Sequence, residues 1–173
     1  MQLEDRGSVH SAITLLEKTP KILETLLSEV AEETYIWKPA PERWSISEVL
    51  AHLVETEGVY SRRAERFLGE ESPALESWDP AKSPAADGRR GDDYLVGFAE
   101  ARSGSVALLS MMPPTAGERS AQHPDLGSVT FTEFLHNWAS HDMGHIRQIV
   151  ELCRAREFHP FAGPFQKYVN LKP

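Results

Sequence analysis

His141 and His145 stand four residues apart in the segment His136-Asn137-Trp138-Ala139-Ser140-His141-Asp142-Met143-Gly144-His145. On an α-helix, side chains at that spacing project from the same face. Counting back from Ile149 by four, four and three passes His145, His141 and Trp138, so both rings belong to the apolar, inward stripe. Two imidazoles aimed into a core destabilise it unless their nitrogens are satisfied. One divalent metal ion taking a nitrogen from each would do so, and so would a carboxylate or carbonyl beside each ring. The pair alone leaves both readings open.

Catalytic metal sites commonly show three protein ligands and one open position. His52 is the best third candidate, because it lies inside the helix whose start is most clearly marked in the chain. A zinc-protease helix has a glutamate after its first histidine. Here that residue is Asp142 and no downstream ligand follows, which sets the protease reading aside. A phosphohydrolase built on the His141-Asp142 doublet would need further His and Asp ligands that cannot be placed. Glu55 and Glu57 could assist a metal-bound water or lie on a solvated face. Asp142 points away from the pair, where it could accept a bond from a ring or face water. Gln148 could orient a ligand, and His123 sits in a loop that could cover the site. Cys153 reads as a small buried hydrophobe and the four tryptophans as packing groups.

Four helical patterns must position these groups. The first, about residues 8–30, carries Val9, Ile13, Leu16, Leu23, Leu26, Leu27 and Val30, with Thr19-Pro20 predicting a kink or restart. The second, 45–69, opens with Ser45 and Glu48 as a capping box and Trp44 facing Val49 as a staple. The third spans 92–110 and ends before Pro113-Pro114. The fourth, 130–156, opens with a second box, Thr130 and Glu133, and Arg154 and Arg156 suit its negative pole. Between the second and third patterns lies a connection of about twenty residues, with Pro73, Pro80, Pro84, Gly88 and Gly91, long enough to return the chain to the opposite end of a bundle. It and the segment 115–129 are expected to wall the pocket. No strand pattern is visible, and the aromatic tail 157–173 is expected to cross the bundle without regular structure. The fold class is all-α, a four-helix bundle in a single domain, 1–173.

Composition limits the functions available. The 173 residues suffice for one core, with 40% hydrophobic and 25% charged side chains and a net charge of −8. No basic stripe is present to displace counterions from phosphates, so nucleic-acid binding is not expected. The N-terminus, Met1 to Arg6, lacks the apolar run of a signal peptide, and no stretch approaches a membrane span. The lone cysteine fits a reducing compartment, and a cytoplasmic location is expected.

Taken together, the segments resemble the DinB superfamily. The matching pieces are Trp44-Ser45-Ile46-Ser47-Glu48-Val49-Leu50-Ala51-His52-Leu53 with Glu57 following, His123-Pro124-Asp125-Leu126-Gly127 leading into Phe131, and His136-Asn137-Trp138 through His141-Asp142-Met143-Gly144-His145-Ile146-Arg147-Gln148-Ile149. Thr19-Pro20 also fits. The resemblance implies up-down-down-up topology with a long crossover between helices two and three. It implies His52, His141 and His145 as the metal ligands. It also implies a homodimer, and a metal-dependent enzyme such as a thiol-dependent transferase or a hydrolase acting on a small molecule. A non-catalytic, stress-associated metal or ligand-binding protein is the alternative. Three imidazoles favour zinc or nickel, with manganese or iron also plausible.

Overall fold

Two reciprocal capping boxes fix where the long helices begin. In the computed structural model, which describes residues 9–78 and 87–171, the Ser45 N–H donates to Glu48 Oε2 at 2.8 Å and the Glu48 N–H donates to Ser45 Oγ at 3.3 Å. Thr130 and Glu133 repeat the arrangement at 2.7 and 3.2 Å. Each box satisfies two of the backbone N–H groups that a helix start otherwise leaves unpaired. The long helices are α1 (Val9–Leu27), α3 (Ile46–Gly69), α4 (Gly91–Ser110) and α5 (Phe131–Cys153), with a short α2 (Glu32–Ile36) between the first two.

These helices form the expected four-helix bundle. Helix α1 packs on α4 and α5, and α3 packs on the same two, so α1 faces α3 across the centre. The long connection between α3 and α4 lets two consecutive helices run parallel. Pro80 and Pro84 in that connection, like Ser8 and the N-terminal segment, lie outside the described residues.

Four local expectations change. Helix α1 runs through Pro20 without a restart and stops at Leu27 rather than near Val30. Helix α5 ends at Cys153 rather than 156, in a π-turn, Arg154–Phe158. The tail beyond it is not irregular: two 3-10 turns, His159–Phe161 and Gly163–Tyr168, carry it to residue 168. It does not lay its aromatic rings across the bundle either, since Phe158, Phe161, Phe165 and Tyr168 are all exposed. The segment 115–129 is not all loop, because a 3-10 turn, Pro114–Glu118, leads into an antiparallel hairpin, β1 (Ser120–His123) and β2 (Gly127–Thr130). Its register runs from Ser120 opposite Thr130 to His123 opposite Gly127. Gly127 takes φ +74°, a value glycine adopts without Cβ strain, and this closes the turn. Strands of four residues are too short to show an alternation, and Thr130 serves both as the hairpin's end and as the cap of α5.

The core is divided into two apolar clusters stacked along the bundle. One gathers Leu16, Phe67, Phe131, Phe134, Leu135 and Trp138. The other gathers Leu23, Ile46, Leu50, Leu53, Tyr94, Phe98 and Ile149. Burial of an aliphatic or aromatic side chain in either contributes roughly 1.5–3 kcal/mol. The short helix α2 is fixed to the second cluster by Tyr35, which lies flat on Gly91; a Cβ there would come within 1.9 Å of the ring. Between the clusters, Thr19, Thr56, Glu57, Arg102, Ser105 and Asp142 are all buried. In each long helix they fall, in sequence, between that helix's contributions to the two clusters, so the bundle has a polar waist.

Candidate metal centre

Beside the waist, α3 contributes His52 and α5 contributes His141 and His145. Their Nε2 atoms converge: His141 Nε2 lies 3.2 Å from His52 Nε2 and 3.2 Å from His145 Nε2. One ligand atom from each residue can be chosen so that all three lie within 4.8 Å of one another. Nitrogens at 2.0–2.1 Å from a tetrahedral ion stand about 3.3 Å apart, which the two 3.2 Å pairs match. The structure thus brings together the three histidines singled out in the sequence, including His52, which is 89 residues distant from His141.

The surroundings favour the neutral form of His52 and His145. Burial, reinforced by the neighbouring His145 and His141 rings, lowers the His52 pKa to about 3. Burial and His141 lower that of His145 to about 4, with Gln148 opposing. A neutral imidazole has a lone pair to offer, which a metal ligand requires. His145 Nδ1 lies 3.1 Å from Gln148 Oε1, and donation of its N–H to that oxygen directs the lone pair of Nε2 at the cluster. The expectation that Gln148 orients a ligand therefore has a geometric basis. His141 differs: its Nδ1 is buried without a hydrogen-bond partner, and the Asp142 Oδ1 atom is 3.9 Å away.

Aromatic rings wall the cluster. Trp44 lies 4.9 Å from the His52 ring and 6.3 Å from that of His145, and Trp78 lies 5.6 Å from His52. Tyr60 stacks on Trp138 at 5.0 Å and meets the His141 ring at 5.4 Å. Its phenol, pushed up to about 12 chiefly by burial, stays protonated. Trp44 and Trp78, which read as packing groups in the sequence, thus touch the cluster directly.

A cleft of about 580 Å³ opens beside His141 and His145, bounded by Arg43, Arg147, Gln148, Glu151 and Asn170. A groove of about 610 Å³ between α1 and α4 contains none of the three histidines. Of the two expected walls, the long connection contributes Trp78 beside His52. The 115–129 segment lines none of the cleft among the described residues; Arg43 before α3 and Asn170 of the C-terminal tail line it instead. His123 is held at home in the hairpin, accepting the Asp125 N–H at Nδ1 over 3.2 Å. Cys153 is buried, its thiol pushed up to about 11 by desolvation, as suits a packing residue.

The acidic candidates separate. Glu57 and Asp142 do not face water; each is about 1% exposed and bonded to Arg102, with Nε–Glu57 Oε1 at 2.9 Å and Nη1–Asp142 Oδ2 at 2.7 Å. Burial alone would raise the Asp142 carboxyl, but the His141 ring and the Arg102 guanidinium outweigh it and hold the pKa below its ordinary value. Glu55 is half-buried on α3. Arg102 is the residue that sequence reasoning missed. It stands on α4, which has no metal-ligand candidate, and a single arginine in an ordinary amphipathic pattern gives no sign of burial.

Comparisons with known proteins agree with this architecture. Over 152 residues the chain is 22% identical to a protein of Oceanobacillus iheyensis named "Putative metal-dependent hydrolase", covering 87% of this chain and 88% of that one. A solved structure, YfiT from Bacillus subtilis, superposes with a TM-score of 0.76 at 22% identity, over 90% of this chain and 89% of its own. YfiT is described as "a probable metal-dependent hydrolase with an unusual four-helix bundle topology". The model of the DinB superfamily matches residues 15–149, which take in all three histidines and both capping boxes, and the chain belongs to that superfamily.

Proposed function

We propose that this protein is a metal-dependent enzyme in which His52, His141 and His145 hold one divalent ion, with hydrolysis of a small molecule as its activity. The convergence of the three imidazoles carries this reading: His141 Nε2 is 3.2 Å from the Nε2 of both His52 and His145, and ligand atoms of all three lie within 4.8 Å of one another. An all-imidazole donor set favours zinc or nickel over magnesium or calcium, and leaves a position for water or substrate. Once bound, the ion would supply Lewis acidity to a water or a thiol.

The protein's own groups would do the rest. Trp44, Trp78 and Tyr60 exclude bulk water from one side of the imidazoles. Arg43 and Arg147 border the cleft without a carboxylate partner among the described residues, and suit an anionic group on the substrate. Transfer of a thiol to an electrophile is the second reading. The donor set carries no negative charge, so a bound dication keeps its full charge for a thiolate. The names of the relatives favour hydrolysis. The same reading takes the chain as one cytoplasmic domain working as a homodimer, an assembly that sedimentation of the purified protein will test.

Elemental analysis decides the site. The purified protein should carry about one zinc or nickel per chain, and His145→Ala should carry none. Equal occupancy in the two would remove the proposed ligand set. Paired assays with ester or amide substrates and with small thiols plus electrophiles, each with and without metal, separate the two reactions from a non-catalytic binding role.

A further inference from the structure

Pro20 has no N–H, so the carbonyl four residues earlier, Leu16 C=O, loses its helical donor. Arg102 Nη1 donates to that oxygen at 2.8 Å. The same guanidinium bonds Glu57 through Nε and Nη2 at 2.9 and 2.7 Å, and Asp142 through Nη1 and Nη2 at 2.7 and 3.2 Å. One side chain therefore ties all four long helices together at the waist. Its face is held by the rings of Phe98 and Trp138, with the guanidinium carbon 4.8 and 5.4 Å from their centroids.

A bundle does not need such a cluster to be stable. Replacing buried ion triads by apolar side chains is often neutral or stabilising, because desolvation of the charges offsets their attraction. A second role fits its position. Asp142 follows His141 directly, and His141 Nδ1 is the buried ring nitrogen of the trio with no hydrogen-bond partner, whereas His145 Nδ1 already has Gln148. The closest carboxylate oxygen to it is Asp142 Oδ1 at 3.9 Å, a gap that a small ring or carboxylate rotation closes. Metal-binding histidines commonly donate their other N–H to a carboxylate, which fixes tautomer and ring orientation.

We propose that Asp142, anchored by Arg102, orients His141 toward the metal, making Arg102 a positioning residue of the centre. This rests on the three-histidine reading above. Glu57 shares Arg102 but has no described contact with a histidine ring, so it separates orientation from bundle stability.

The test uses the full chain and Co²⁺ as the probe. Asp142→Asn should weaken Co²⁺ binding about 10- to 100-fold and shift its visible absorption, while circular dichroism stays helical. Glu57→Gln should keep the wild-type affinity and spectrum. Wild-type behaviour of Asp142→Asn overturns the proposal, and so does an equal loss in both variants, which would mark the cluster as structural only. Should Asp142→Asn fail to fold, the zinc-loaded wild type decides by long-range ¹H–¹⁵N spectra. His141 is expected to be protonated at Nδ1 and ligated through Nε2, and ligation through Nδ1 overturns the proposal. Failure of the wild type to take up Co²⁺ removes the metal centre itself, a result distinct from all of these.

Discussion

The waist of the bundle buries polar groups in two adjoining places, and the two are finished differently. Around Arg102 each charged atom has a partner: five hydrogen bonds reach Leu16, Glu57 and Asp142 within 2.7–3.2 Å. Around His141 the polar atoms face one another. Three Nε2 atoms crowd together, and a buried Nδ1 has no partner. A fully connected polar network rigidifies a core, whereas the imidazole cluster leaves one buried ring nitrogen without a partner. The contrast separates a polar cluster whose charges are satisfied within the protein from the one proposed above to hold a metal.

The two halves should therefore fail in different ways. The largest effect is expected from Arg102→Met. It leaves Glu57 and Asp142 as buried uncompensated carboxylates and should destabilise the fold by about 3–5 kcal/mol, read as a lower urea midpoint. A change below 1 kcal/mol would mean that water reaches the cluster. The imidazole side should respond oppositely. His52→Ala should leave metal-free stability little changed, while removing the stabilisation by zinc, about 2.7 kcal/mol at a hundredfold excess over Kd in the wild type. Thermal melts with and without zinc measure this, and an undiminished zinc shift in the variant would break the comparison.

A smaller effect is expected at the element that positions His52. Ser45→Ala removes the acceptor of the Glu48 N–H and should lower stability by about 1 kcal/mol, with metal stoichiometry unchanged by elemental analysis. Acidification should give the smallest response at neutral pH and one that grows below it. His52 and His145 have folded-state pKa values near 3 and 4, below the ordinary 6.5 of the unfolded chain. The unfolded state then binds more protons between these values, so metal-free stability should fall as pH drops from about 6.5 toward 4. For the same reason His52 and His145 should remain unprotonated at pH 5. A stability profile flat between pH 7 and 5 would show that the rings are not desolvated as the structure places them.

The family model and the neighbouring structure agree with the bundle read from periodicity, and the reason is local. Capping boxes at Ser45 and Thr130 and apolar spacing at three and four residues are written in consecutive positions, and helix formation depends on them directly. The hairpin escaped because its strands are four residues long and earn their order from contacts such as the Leu75 N–H to Gln122 C=O bond at 2.7 Å. Helix α1 was expected to kink or restart at Pro20, yet it runs on without a restart, and a residue 86 positions from Leu16 takes over the carbonyl that the proline frees.

By itself, then, the sequence determined the helices, their inward stripes and the facing pair His141 and His145, because these follow from the 3.6-residue turn. It could name His52 but not bring it 3.2 Å from His141. That distance, the burial of Arg102 between two carboxylates and the turn of Trp44 and Trp78 toward the imidazoles were decided by tertiary packing. A buried charge is tolerated only where several distant helices supply its partners together, and no local pattern along one helix records that agreement.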